Sequence, residues 1–428
     1  MSPQPGSPES AFLEGYDAFK HEGRFRHINE TGAARFGALG FPAKKHEMFT
    51  FVNLREFLAE KFEHVEGPEK MPSKDEIKPF VYAGCENSLV VLVDGRFSAA
   101  LSDMTAHDGN ASATELDEGN PALDVHAEND VFASINALFL TGGVKIEVTN
   151  EGAQIGVPIQ VLHISTAQAR SAGKVPAYSP RIVVNLPGDA KARIAVKYCG
   201  LGKAYFVNTV TDLVLGEGAE LDVSSVQGDP ASAWHFSKTT ARQKKNSRLG
   251  IVGATTGGRL VRHNFDLRLE GEGAALSLLS LAILDGAEQS HNYVRVTHDA
   301  PGCKSFEHYK NILRGRSVSS VDTTVTVNAG AQLAVSEQLV NNLMFSSTAR
   351  ADTKPRLMIR ADDVKCKHGA TVGRIDEAQI FYLVSRGLSE KAAKALIISG
   401  FAKGVLNAMP NGPISADAES LLLNKLGE

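Results

Sequence analysis

Apolar residues change their period twice along this chain. At the start they recur at helical spacing: Phe12, Leu13, Tyr16 and Phe19 fall near one face of SAFLEGYDAFKHEGRF, with Ser10 placed to cap it. This texture covers residues 10–64, breaks at Gly40 and Pro42, and resumes as a helix from about Leu54 to Phe62. The Pro-, Lys- and Glu-rich stretch EGPEKMPSKDEIKP, residues 66–79, closes the region. Residues 1–9, dominated by Pro, Gly and Ser, read as a flexible tail.

From about 80 to 360 the period shortens to two. Runs such as SLVVLVDG, GVKIEVTN, PRIVVNL, ARIAVKYCG and SLLSLAILDG are separated by Gly, Asn and Asp. The long helical periods of βαβ units are missing, which argues against a doubly wound sheet. Later, NFDLRLEGEG, NYVRVTHDAPG, TTVTVNAGA and PRLMIRADD each join a short strand to a turn. Their central residues Leu267, Val294, Val325 and Leu357 stand 27, 31 and 32 positions apart. That spacing predicts a β-solenoid with two or three strands per coil, each coil burying its inner face against the next. A β-sandwich also has short strands and stays open on the pattern alone. The flat sides of a solenoid suit lateral pairing with another chain.

After 373 the helical period returns. RIDEAQIFYLVSRG carries Asp376 and Glu377 at its start, Arg386 in its last turn and Gly387 as its stop. LSEKAAKALIISGFAKGVL follows with Ser389 as cap, and ISADAESLLLNKLGE reads as one more short helix. Three regions result: helical 1–80, a mainly β core 81–372, and helical 373–428.

Composition narrows the classes. A chain of 428 residues implies two or three domains of about 150 residues each, unless one is an elongated repeat. Apolar content of 43% and charged content of 22% are ordinary for a soluble protein. A net charge of −4 argues against nucleic acid and anionic membranes as partners. No apolar run approaches the ~20 residues of a membrane span, and the N-terminus lacks the basic-then-apolar pattern of a secretory signal. Cys85, Cys199, Cys303 and Cys366 are far apart with no CxxC spacing, so a reduced, cytoplasmic setting is expected.

Few motifs carry chemistry. PGCKS, residues 301–305, lacks the GxxxxGK[ST] pattern, so no nucleotide hydrolysis is expected of this chain. GEG at 271–273 and TTGG at 255–258 read as turns, and neither HExxH nor GxSxG occurs. His291, His298 and His308 flank Cys303 and read as hydrogen-bonded strand and turn residues. ADDVKCKHGATVG, residues 361–373, stands apart. On a strand, Cys366 and His368 share a face. Thiolate and imidazole both suit iron and zinc. Two ligands do not close a four-coordinate site, so a partner chain would supply the rest. A buried Cys beside a polar His is the competing reading. Asp362 and Asp363 read as turn caps, with iron binding as the alternative.

DTKPRLMIRADDVKCKHGATVGRIDEAQIFYLVSRGLSEKAAKALIISGF, residues 352–401, closely resembles the C-terminal signature of the SufB/SufD family, subunits of the SUF iron–sulfur cluster assembly scaffold. CKSFEHYKNIL at 303–313 and AVSEQLVNNLMFSSTARADTKP at 334–355 resemble it more loosely. FPAKKHEMFTFVNLREF, residues 41–57, is similar to the Pro-x-x-Lys-x-Glu-x-aromatic segment of the SufD type, as are the length and the few cysteines. RSVSSVDTTVTV, residues 316–327, departs from the family's aromatic-Gly step, and no role is carried onto it.

The resemblance implies a right-handed parallel β-helix flanked by N-terminal and C-terminal helical regions. It implies a non-catalytic, SufD-type scaffold subunit that pairs with a SufB-like chain and docks a SufC-like ABC ATPase, which hydrolyses the ATP. A transient Fe–S cluster or iron would sit at the interface. His368 matches the family histidine implicated in cluster assembly or iron acquisition, and Cys366 the position of a cluster or sulfur ligand in SufB-type chains. The ATPase contact falls on the FYLVSRG helix, at Phe381, Tyr382, Arg386 and Gly387, where core packing of the two aromatics is the competing reading. A homodimer is expected when the sister chain is absent. The alternatives are a SufB-like homodimeric scaffold and, more distantly, an exported β-helix enzyme acting on polysaccharide.

Overall fold

Period-two alternation becomes a two-sheet parallel solenoid. The computed structural model describes residues 7–19, 23–42, 46–124, 128–202, 204–410 and 412–426. Residues 1–6 of the expected tail, the Phe19 side chain, and Ala43, Lys44 and Lys45 of the 41–57 segment lie outside the described residues. Successive strands alternate between a sheet of eleven strands and a sheet of ten, so each coil supplies two strands. Antiparallel pairs stand at the start, where Leu89–Val93 meets Arg96–Phe97 and Ala111–Glu115 meets Gly143–Val148. Coil upon coil then stacks in parallel to the last rungs, Arg350–Ile359 in one sheet and Val364–Arg374 in the other.

The inner faces close on one apolar core. One inward column runs Leu213, Ala241, Leu267, Val296, Val325, Leu357. The expected column placed Val294 where Val296 stands. Val294 pairs instead with Phe265 and Thr323, so the true steps from Leu267 are 29, 29 and 32. The slip is one inward position: residues two apart share a face, and only the pairing register tells them apart. Residues 301–303 turn between coils, and Lys304 opens the next strand. Gly302 takes a left-handed φ of 68° there, and its N–H donates to the Gln332 carbonyl of the next coil. The 271–273 stretch is a turn as well, whereas Thr255 ends a strand and 256–258 form an irregular link to the next one.

Helices cover the outer faces. The first sheet is covered by α1 (Pro8–Phe19), α2 (Arg26–Leu39), α3 (Arg55–Ala59) and α5 (Val131–Leu138), with the short α4 (Lys74–Ile77) between the last two in sequence. Phe36, Phe57 and Phe132 pack there on Phe206, Trp234 and Phe236. α1 begins at Pro8, and Ser7 Oγ rather than Ser10 accepts the capping bond, from the Ser10 N–H at 3.2 Å. Proline at the first helical position loses no bond by lacking an N–H. The helix expected at 54–62 is shorter, because Phe62–His64 pairs as a strand with Val175–Tyr178. α5 lies inside the stretch read as strands. Its eight residues are all buried, Ser134 and Asn136 included, and so short a run buried on every side has no solvent face whose period would separate helix from strand.

The C-terminal helices α6 (Glu377–Ser385), α7 (Glu390–Leu406) and α8 (Pro413–Leu426) follow the last strand. Their caps are those expected: Asp376 accepts from the Ala378 N–H, Ser389 from the Ala392 N–H, and Gly387 turns the chain at φ 95°. Ile398, Ala402 and Val405 of α7 pack on Leu279, Leu281 and Ile312, on the outside of the second sheet. No helix among the described residues is long and apolar enough to cross a membrane.

Candidate functional site at the open end of the solenoid

Among the described residues, no further coil stacks on the last one. Arg350–Ile359 and Val364–Arg374 end their sheets, each pairing with one strand only. In Ala334–Met344, one rung in, the even-numbered residues are the buried ones. Cys366 pairs with Ser336 of that strand and His368 with Gln338. Both side chains therefore belong to the inward-facing set, at the rung where the interior opens to solvent. Cys366 is half-buried against the apolar core and His368 is exposed. Partial burial raises the Cys366 thiol above its usual range, and a hydrogen bond from the Ser336 backbone offsets part of that rise.

Each residue caps a polar column running back into the solenoid. Behind Cys366, Ser305 Oγ donates to Ser336 Oγ at 2.9 Å, and His298 Nε2 lies 2.9 Å from Ser305 Oγ. Behind His368, Gln338 pairs in register with Glu307, which is fully buried. Glu307 accepts from Thr323 Oγ1 at 2.5 Å, Tyr309 OH at 3.1 Å and Gln338 Nε2 at 3.3 Å. Burial pushes its carboxyl up to about 7, against the pull of those three bonds. Glu307 and Gln338 escape a sequence reading because 31 and 30 residues separate the members of the column Glu307, Gln338, His368. FEHYK offers a charged residue at an inward position as the sole local signal.

Asp363 holds the turn through its backbone: its N–H donates to Gln332 Oε1, and its carbonyl accepts from the Leu333 N–H. The three histidines around Cys303 scatter. His291 meets Ser320, His298 meets Ser305, and His308 meets Asn341 on the other face of its strand. Among the described residues, no group of three or more His, Cys, Asp and Glu side chains converges on a metal position.

The second feature lies on α6. Phe381 is 75% exposed and Tyr382 56%, with Val384, Leu388 and Leu396 also uncovered, so the core reading of these aromatics does not hold. The Arg386 guanidinium lies 5.2 Å from the centre of the Tyr382 ring. Gly387 ends this face.

A family model described as the SUF system FeS cluster assembly SufBD core domain matches residues 167–401. The chain belongs to the SufBD family. An iron–sulfur cluster assembly SufBD family protein of Synechocystis is 27% identical over 87% of this chain and 85% of its own length. The iron–sulfur cluster assembly protein SufD of Escherichia coli is 28% identical over 86% of each chain. The chloroplastic protein ABCI7 of Arabidopsis thaliana is 30% identical over 68% of this chain and 62% of its own. The SufBD match spans the solenoid from its early coils through the last rung and α6, and ends within α7. Both candidate features lie inside it.

The 41–57 segment, outside that core, has a structural part to play. Glu47 pairs with Arg356 on the last rung of the first sheet, and the Phe49 ring lies 4.1 Å from the guanidinium of the buried Arg262. The SufD-like N-terminal patch thus ties the helical layer to the open end of the SufBD solenoid.

Proposed function

We propose that this chain is a SufD-type scaffold subunit of a SUF complex. Its open solenoid end meets a SufB-like chain, and its α6 patch docks a SufC-like ABC ATPase. Cys366 and His368 are offered there to iron or a nascent Fe–S cluster, which is the substrate rather than a resident cofactor. The reading rests above all on one observation: Cys366 and His368 lie together on the inward column of a rung that no further coil covers. Two ligands beside unpaired strand edges form half a site, completed by a second chain. The helical region 1–80, the β core 81–372 and the helical region 373–428 then divide the work into bracing, partner pairing and ATPase docking. Turnover of ATP falls to the docked ATPase, this chain binds no nucleotide, and the complex works in the cytoplasm.

The chemistry suits this division. A neutral imidazole ligates iron near neutral pH. A thiol loses its proton on metal binding, so its raised free value does not bar it from ligation. Co-expression with the sister subunit and the ATPase, followed by size exclusion, is expected to yield one copy of this chain, one sister and two ATPases. Elution of this chain as a homodimer in their presence would favour a self-sufficient scaffold, and elution alone would reject the assignment. Within the complex, His368→Ala is expected to leave the stoichiometry intact and to lower bound iron several-fold. Unchanged iron would remove His368 from the site.

A further inference from the structure

The buried column behind His368 has one unspent group. Gln338 is fully buried, and its Nε2 donates to Thr323 Oγ1 at 2.9 Å and to Glu307 Oε1 at 3.3 Å. As placed, Nε2 faces Thr323 and Glu307, and Oε1 is left over. Gln338 Oε1 is buried and has no hydrogen-bond partner among the described residues. The amide oxygens of Asn136, Gln227, Gln243, Asn264 and Asn292 are buried in the same state, but of these six residues Gln338 is the one that lies a single rung from the open end. The neighbour of Gln338 on the next rung of the inward column is His368. Adjacent strands lie about 4.8 Å apart; the exposed His368 ring does not meet that oxygen as placed, and a rotation of its side chain toward the interior would bring an N–H to it.

We infer that Gln338, held in one orientation by Glu307 and Thr323, is a positioning residue that accepts the N–H of His368 and so presents the other ring nitrogen to the substrate metal. The inference deepens the proposed iron role of His368 and rests on it. A metal-bound histidine generally gives its second N–H to a carbonyl or carboxylate, which sets both tautomer and ring orientation. Here the acceptor comes from the chain's own interior, one coil away. The carboxylate stands one step further back and acts only through the amide. Leu278 fills the equivalent rung before Glu307, so the polar column begins at Glu307 and ends at the solvent-facing end.

The test reads the tautomer and iron separately. Full chains carrying 15N-labelled histidine are compared by two-bond 1H–15N correlation, with His368 assigned through His368→Ala. One dominant His368 tautomer is expected in the native chain. Gln338→Leu is expected to return a mixture, and Gln338→Glu, which keeps an acceptor, to restore one form. Glu307→Leu frees the amide and is expected to give a smaller change in the same direction. In the assembled complex titrated anaerobically with Fe(II) alone, Gln338→Leu is expected to weaken retention about tenfold. A native tautomer in Gln338→Leu, in a chain with an unchanged melting curve, overturns the inference. A tautomer change in Gln338→Leu, together with native Fe(II) retention in His368→Ala, upholds the positioning role and defeats the iron reading instead.

Discussion

Glu307 shows how a single side chain can work against its surroundings. Its folded value, about 7, lies above the ordinary carboxyl value of 4.5, so the native state holds the proton more tightly than the unfolded chain does. The resulting stability is complete below pH 4.5 and is lost as pH rises through 7. Glu307→Gln is therefore expected to gain on the native protein when urea unfolding is moved from pH 5 to pH 8. Equal differences at the two pH values would mean that the carboxyl is not held protonated. Cys366 and His368 were legible as a pair because a strand places alternate residues on one face. Glu307 and Gln338 were not, because their relation to His368 exists only through the pairing of three successive coils.

At the scale of elements, the sequence shows period but not register. Strand after strand was visible in alternation, and the coil length could be estimated, yet Val294 and Val296 exchanged places because both face inward. Caps were legible where the side chain and the helix start adjoin, as at Asp376 and Ser389. α5 was hidden because it is short and buried on every side. The α6 surface gives the element-level prediction. Phe381→Ser with Tyr382→Ser removes apolar area that the chain itself does not bury. Thermal stability is expected to move by no more than about 0.5 kcal/mol, while co-purification of the ATPase is lost. A large fall in stability would return these aromatics to the core. Retained ATPase with native stability would place the docking surface elsewhere.

Across the whole molecule, the solenoid hides imidazoles that prefer to be neutral. Burial pushes His163, His263 and His291 down to about 3 from 6.5. Between those values the unfolded chain binds more protons, so stability rises with pH and is lost as pH falls from 6.5 toward 3. The urea midpoint is expected to drop clearly between pH 7 and pH 5, and a flat profile would contradict the burial of these rings. The general plan, a β-solenoid with helices at both ends, was readable from texture. Which helices cover which sheet was not, since packing on an outer face leaves no mark in the period of the strands beneath it.

The uncovered last coil also bears on when each amide opens. In a stack of rungs each coil is steadied by its neighbours, and a terminal rung has only one. Its outward N–H groups belong to the low-stability end of the molecule, where hydrogen exchange runs through local fraying rather than global unfolding. Cys366 and His368 sit on that rung. The residues proposed to hold iron are therefore carried by a rung with a single stacking neighbour, and a partner that extended the sheets would steady that backbone and complete the ligand set in one step.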